Sequence, residues 1–136
     1  ARLFECVGGV LTVPEAQIDS VTAVSGSGPA YFFLFVEALV DAAVAIGLTR
    51  AVATELAVQT MAGSAAMLLE RLPEQGGLTS AVPDTSAAQL RAMVTSPGGT
   101  TAAGLRELER CGLRSAVADA VEAAKTRSGQ LGITSE

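Results

Sequence analysis

The chain has 136 residues, of which 49% are hydrophobic and 17% are charged. A chain of this length forms one domain with its own core, and so apolar a composition excludes intrinsic disorder as its main description. Nine Lys and Arg residues against 14 Asp and Glu residues give a net charge of −5. Because nucleic acids and anionic membranes attract clustered positive charge, we expect neither as a partner.

The sequence contains no histidine, which is the commonest metal ligand and the usual general base near neutral pH. No metal site is predicted, and any chemistry falls to hydroxyls, carboxylates or bound water. Cys6 and Cys111 lack CxxC spacing and follow no secretory leader, which favours free thiols and a cytoplasmic location. The chain opens at Ala1 with what resembles the end of a helix, so we expect a piece of a longer protein.

Abundant alanine and few aromatic residues favour an all-α fold of closely packed helices. Residues 9–13 form the clearest β-like run, which ends at Pro14, and residues 21–24 are a weaker strand candidate. Neither run makes a sheet by itself. From the residues alone, the run at 9–13 is a strand candidate without a sheet.

The stretch from Pro29 to Ile46 predicts a long, largely buried helix, closed by Gly47. A membrane span is the competing interpretation. The apolar run is only about 17 residues long, however, and Glu37 and Asp41 near its middle are costly in hydrocarbon. The buried helix is favoured.

Five further elements follow in the sequence. They are a helix from Thr49 to Leu72, a loop from Glu74 to Pro83, a short helix from Ser86 to Met93 capped by Asp84, an amphipathic helix that ends at Gly112, and a last helix from about Ser115.

Gly26-Ser27-Gly28 superficially resembles a dinucleotide-binding fingerprint, in which glycines let the backbone approach a pyrophosphate. Tyr31 stands where the third Gly or Ala belongs, and Pro29 occupies the turn. A tight turn that leads into the long helix is the favoured interpretation.

Residues 96–101, Ser-Pro-Gly-Gly-Thr-Thr, carry a stronger signal. Two glycines and the free N–H groups of a helix start can form a concave nest for a carboxylate or phosphate. Ser96 or Thr100 could cap the helix, while the hydroxyl of Thr101 faces the bound anion. From the residues alone, an ordinary loop that ends in a threonine N-cap is favoured over an anion site.

Three segments, in this order and spacing, closely resemble the C-terminal region of pyrroline-5-carboxylate reductases. They are residues 19–31 (DSVTAVSGSGPAY), residues 94–105 (VTSPGGTTAAGL) and residues 120–124 (AVEAA). The resemblance covers nearly the whole chain, and its SPGGTT motif is highly specific. It implies that residues 19–136 are a helical dimerisation and substrate-binding domain. Residues 1–18 would then be the end of a missing N-terminal dinucleotide-binding domain of the Rossmann type. Residues 3–13 would be the end of its last helix and a short N-terminal strand left over from its sheet, beside an all-α bundle.

The family reduces 1-pyrroline-5-carboxylate to L-proline with NADPH or NADH, the last step of proline synthesis. The resemblance implies that Ser96 and the backbone amides of Thr100 and Thr101 hold the substrate carboxylate. The Thr101 hydroxyl would bond the ring nitrogen as the catalytic group. The implied substrate-binding residues are Val94, Ser96, Gly98, Gly99, Thr100 and Thr101.

The resemblance also implies an interlocked homodimer, built by the two long helices and able to assemble into a larger ring. The cofactor would be bound mainly by the missing domain, so this chain alone is expected to be inactive. Ser86-Ala87 stands where the family usually has His-Pro, and the Pro73–Pro83 loop is long, which puts the pocket entrance in doubt. Two alternatives stay open: a non-catalytic helical oligomerisation module, and the helical domain of another Rossmann-type dehydrogenase.

Overall fold

The computed structural model describes residues 10–71 and 86–133, and these residues form helices without a strand. The helices are α1 (Ile18–Val21), α2 (Gly28–Ala45), α3 (Arg50–Leu69), α4 (Ser86–Met93), α5 (Thr100–Arg110) and α6 (Leu113–Ile133). A 3₁₀ turn (Glu15–Gln17) precedes α1, and a π-helical turn (Thr22–Gly26) follows it. The predicted all-α fold is confirmed.

Neither of the two predicted strands forms within the described residues. Residues 10–13 have no regular secondary structure, because a strand needs a second strand to receive its hydrogen bonds and the described residues supply none. Residues 21–24 are helical. The Ser27 N–H donates to the Thr22 carbonyl at 2.9 Å, and the Ser25 hydroxyl donates to the Val21 carbonyl at 3.0 Å.

The described parts of Ala1–Gly28 and Leu113–Glu136 form one compact unit. Within it α6 packs against α1 and the π-helical turn, and Ala23 is fully buried. The Ser128 hydroxyl donates to Oδ1 of Asp19 at 2.7 Å, and a Cβ built on Gly129 would lie 3.5 Å from Oδ2 of Asp19. A small residue and a hydrogen bond thus join helices from opposite ends of the sequence.

Pro29–Gly112 forms the second unit, in which α2 and α3 make a helical hairpin. Gly47 takes a φ of 108°, and the Leu48 N–H returns to the Ala43 carbonyl at 3.1 Å, which ends α2. Thr49 caps α3 as predicted, since its hydroxyl accepts from the Val52 N–H at 3.4 Å. The predicted last residue of α3, Leu72, lies outside the described residues.

The expectation that α2 is largely buried is wrong for the single chain. Its buried core with α3 consists of Val40, Ala53 and Ala57, whereas Phe32 and Phe33 are 65% and 67% exposed. The physical reason is that α2 is apolar around most of its circumference, and one neighbouring helix covers only one stripe. An open cavity of about 580 Å³ lies between the two helices. Side chains lining it include Phe32, Phe33, Phe35, Leu39, Met61 and Leu68.

Two helical stretches, Glu15–Ala45 and Arg50–Leu69, are long and apolar enough to cross a membrane, with mean hydropathies of 1.5 and 1.3. Apolar helices at the centre of a protein assembly meet the same two criteria. The absence of a membrane partner therefore stays a prediction.

Helix α4 spans the residues predicted for it, and α6 begins at Leu113, two residues before the predicted Ser115. Helix α5 ends before Gly112, which takes a φ of 76° as a helix terminator does. Nε of Arg110 pairs with Glu107 at 2.7 Å on the outer face of α5. The Pro73–Pro83 loop and Asp84 lie outside the described residues.

Candidate functional site

The loop between α4 and α5, residues 94–99, is here called the SPGG loop, and its first residues are held by α4. The Val94 N–H donates to the Leu90 carbonyl at 3.3 Å, and the Thr95 N–H donates to the Ala92 carbonyl at 3.1 Å. The Thr95 hydroxyl donates to the Arg91 carbonyl at 2.6 Å. The start of the loop therefore moves with the end of α4.

The middle of the loop is a tight turn that needs both glycines. The Gly99 N–H donates to the Ser96 carbonyl at 3.0 Å, which closes the turn. Gly98 has a φ of 70°, the left-handed region that side chains with a Cβ rarely adopt. A Cβ on Gly99 would lie 3.2 Å from the Ser96 carbonyl oxygen. The prediction that Gly98 and Gly99 shape a nest thus has a geometric basis.

The N-terminus of α5 has no side-chain cap. Its N-cap residue is Gly99, with φ −78° and ψ 174°, and the Gly99 carbonyl accepts from the Ala103 N–H at 3.1 Å. Within the described residues, the N–H groups of Thr100, Thr101 and Ala102 have no hydrogen-bond partner. The preference for a threonine N-cap is therefore wrong, because Thr100 is already the first helical residue and glycine takes the cap position.

Three free N–H groups at the start of an eleven-residue helix favour the binding of an anion. The amides of Thr100 and Thr101 were predicted for this role, and the structure adds that of Ala102. The resemblance names only the amides of Thr100 and Thr101. With the N-cap at Gly99, the first three helical N–H groups are free, and Ala102 carries the third of them.

Ser96, Thr100 and Thr101 are exposed. Within the described part of the chain, their hydroxyls neither donate nor accept a hydrogen bond. They differ in this from Thr95, whose hydroxyl is engaged with α4. Val94 is 61% exposed and provides an apolar surface at the beginning of the same loop. The structure thus brings all six predicted site residues together in one loop and helix start.

Residues 94–102 contain no ionisable side chain, so any anion bound there would be held by N–H groups, hydroxyls and the helix dipole. Such a site orients a ligand and supplies hydrogen bonds. It offers no side chain that would act as an acid or base near neutral pH.

The Gly26-Ser27-Gly28 segment does not form a nucleotide site. A dinucleotide fingerprint connects a strand to a helix, whereas this segment ends a π-helical turn and continues into α2, with Gly28 buried. The glycines of this segment therefore belong to a helical turn that leads into α2.

Comparison with known proteins agrees with the fold and the loop. The family model for pyrroline-5-carboxylate reductase dimerisation matches residues 15–131. A pyrroline-5-carboxylate reductase of Mycobacterium leprae is 70% identical over 98% of this chain and 47% of its own length. One from Arabidopsis thaliana is 45% identical over 96% of this chain and 43% of its own.

Solved structures give the same result. The pyrroline carboxylate reductase of Plasmodium falciparum, solved with NADP bound, matches with a TM-score of 0.78 and 38% identity. The match covers 96% of this chain and 48% of that one. The 1-pyrroline-5-carboxylate reductase of Streptococcus pyogenes matches with a TM-score of 0.75 and 36% identity, over 93% of this chain and 44% of its own.

Together these matches identify the helical fold as that of a dimerisation domain in a family of oxidoreductases. The chain belongs to the pyrroline-5-carboxylate reductase family, as its dimerisation domain. It spans about half the length of the curated relatives that it matches.

Proposed function

We propose that this chain is the substrate-binding and dimerising part of an enzyme that reduces 1-pyrroline-5-carboxylate to L-proline. The observation that carries the proposal is the uncapped N-terminus of α5, where three free N–H groups lie beside free hydroxyls in the family's SPGGTT motif. The substrate is a ring that bears one carboxylate, which fits an anion site of this size and polarity.

In the proposed site, the amides of Thr100, Thr101 and Ala102 and the hydroxyl of Ser96 hold the carboxylate. The Thr101 hydroxyl forms a hydrogen bond with the ring nitrogen. This bond fixes which face of the imine is exposed to reduction. Val94 covers the apolar edge of the ring. Because the loop holds no acid, the chain contributes orientation and preorganised donors, and the iminium proton enters with the substrate.

The hydride comes from NADPH or NADH, bound by a part of the enzyme that this chain does not supply. Two observations support that assignment: the Gly26-Ser27-Gly28 segment lacks the strand of a dinucleotide fingerprint, and the Plasmodium falciparum relative, of which this chain covers 48%, was solved with NADP bound. The chain by itself is then expected to bind substrate and not to turn it over.

The partner we propose is a second copy of the chain, seated on the apolar surface of α2 and α3. This surface exposes Phe32, Phe33 and Leu34 at 65–67% in the single chain, which is a large apolar area for a protein to leave in water. The match of the family model for dimerisation supports a homodimer. A higher ring assembly remains part of the proposal.

The test is a chimera in which this chain replaces the matching half of the 70% identical Mycobacterium leprae reductase. Thr101→Ala in the chimera should lower kcat/KM about 10- to 100-fold, since one hydrogen bond to the reacting group is lost. Thr101→Ser, which keeps the hydroxyl, should recover most of the activity. Thr126→Ala on the exposed surface of α6 is the matched control.

Unchanged turnover in Thr101→Ala would contradict the proposed role and favour a non-catalytic oligomerisation module. A chimera that folds and binds no substrate in its parent form would contradict the family activity itself. The helical domain of another dehydrogenase would show turnover on a different substrate.

A further inference from the structure

The inference concerns Arg71, which follows the end of α3 and reaches across to α4. Its Nη1 donates to Oε1 of Gln89 at 3.4 Å, and its Nη2 donates to Sδ of Met93 at 3.7 Å. The Arg71 N–H also donates to the Leu68 carbonyl at 3.0 Å, so its backbone is fixed to the last turn of α3. One guanidinium therefore joins two helices.

Helix α4 needs such a contact because it has only eight residues. Isolated helices shorter than about 12–15 residues are marginal in water, so their position depends on tertiary contacts. Helix α4 packs against α3, and Met93 at its end is 69% exposed, so little burial fixes that end. The guanidinium of Arg71 forms a polar link between the end of α3 and one face of this short helix, because Gln89 and Met93 are four residues apart.

The position of α4 in turn sets the position of the SPGG loop. Met93 is directly followed by Val94, and the hydrogen bonds of Val94 and Thr95 attach the start of the loop to the last turn of α4. A displacement of α4 therefore carries Val94 and Ser96 with it. A series of contacts leads from α3 through Arg71 to the residues that shape the anion site.

We infer that Arg71 is a positioning residue, which holds α4 against the end of α3 and thereby places the SPGG loop for its substrate. This inference rests on the proposed function, since the loop is taken to bind the substrate carboxylate. Arginine suits the role because its planar fork carries several N–H groups and addresses Gln89 and Met93 at once. Lysine offers a single point of contact.

The first test measures kinetics in the chimeric reductase. Arg71→Ala should raise KM for pyrroline-5-carboxylate about three- to tenfold, the scale of one lost net hydrogen bond, with kcat changed less than about twofold. Arg71→Lys should fall between Arg71→Ala and the parent. A KM within about twofold of the parent in Arg71→Ala would overturn the inference.

Arg127→Ala is the matched control. Arg127 also donates to a glutamine, Gln130 at 3.2 Å, but both residues lie within α6. The control removes an exposed Arg–Gln hydrogen bond that joins no two helices, so KM should not change. An equal rise of KM in both variants would assign the effect to the loss of surface charge and overturn the positioning role.

The second test needs no substrate and uses the 136-residue chain. Amide NMR shifts of Gly98, Gly99 and Thr101 should move in Arg71→Ala and stay fixed in Arg127→Ala. If these amide shifts move in Arg71→Ala while Thr101→Ala keeps full turnover, Arg71 positions the loop but the proposed function is wrong. If the amide shifts and KM stay unchanged in Arg71→Ala while Thr101→Ala loses activity, the inference about Arg71 is wrong and the proposed function stands.

Discussion

In the single chain, the α2–α3 surface leaves apolar side chains uncovered, whereas the SPGG loop and the start of α5 leave hydrogen-bond donors without acceptors. The helix surface exposes aromatic and aliphatic side chains and has few polar groups to satisfy. The loop and the start of α5 expose N–H groups and hydroxyls without acceptors among the described residues. In the proposed function, the neighbour of the helix surface is apolar and extended, and the neighbour of the loop is small and anionic.

This contrast shows that burial and hydrogen bonding give separate information about function. A helix that is apolar around most of its surface indicates a protein partner, because only another folded surface covers so large an area. A helix start without a side-chain cap leaves N–H donors available to an anion or to water, so it is compatible with ligand binding and does not require it. In the proposed function, the two regions of one unit therefore divide assembly from substrate binding.

The largest effect is expected at the α2–α3 surface. Phe32→Asp should weaken self-association by at least about 100-fold in the dimer dissociation constant, since each copy loses aromatic burial worth about 1.5–3 kcal/mol and would bury a charge. Sedimentation equilibrium of the parent and the variant measures this. Phe32→Leu, which keeps an apolar side chain, should change the dissociation constant much less.

A monomeric parent chain at micromolar concentration would refute the proposed interface. A parent dimer that Phe32→Asp leaves intact would instead show that the copies associate through another surface.

A smaller effect is expected at the SPGG loop. Gly98→Val places a β-branched residue at a φ of 70° and should cost about 1–2 kcal/mol in that conformation, which the loop relieves by shifting. We expect KM for the substrate in the chimeric reductase to rise about tenfold, the equivalent of 1.4 kcal/mol. The shifted loop would no longer hold Ser96 and the free amides of α5 around a common carboxylate position.

Gly104→Ala is the control for this substitution. Gly104 lies inside α5, and a Cβ added to it would meet no neighbouring group within 4 Å, so alanine there should leave KM unchanged and slightly stabilise the helix. If Gly98→Val also leaves KM unchanged, the left-handed turn has no part in substrate binding.

The elements of this fold follow closely from the sequence, and the reasons are local. Thr49 as an N-cap, Gly47 and Gly112 as terminators and the limits of α4 are all set by neighbouring residues. The strand at residues 21–24 and the burial of α2 were predicted wrongly because both depend on distant groups: a pairing strand in one case and a covering surface in the other. Periodicity reports an apolar face without showing what covers it.

The sequence directs attention to residues 96–101, and the structure adds which backbone donors of this segment are free. The two glycines fixed the position of the nest, because a left-handed turn before a helix has few other residues available to it. The N-cap was placed on a hydroxyl residue because cap preferences favour Ser and Thr, and glycine at the cap is what leaves the Thr100–Ala102 amides free. Neither Arg71 nor the Asp19–Ser128 pair has a sequence signal, since their partners lie 18 to 109 positions away.

The smallest effect is expected at the link between α1 and α6, in the unit that holds neither the α2–α3 surface nor the SPGG loop. Ser128→Ala removes the donor that faces Asp19 and should lower the free energy of unfolding by about 1 kcal/mol, without change in KM. Urea denaturation of parent and variant measures it. Ser25→Ala is the matched control, because the Ser25 hydroxyl donates to the carbonyl of Val21, four residues earlier in the same helical stretch, at 3.0 Å. Equal stability losses in the two variants would mean that the long-range bond contributes no more than a local one, and that apolar packing around Ala23 alone joins these helices.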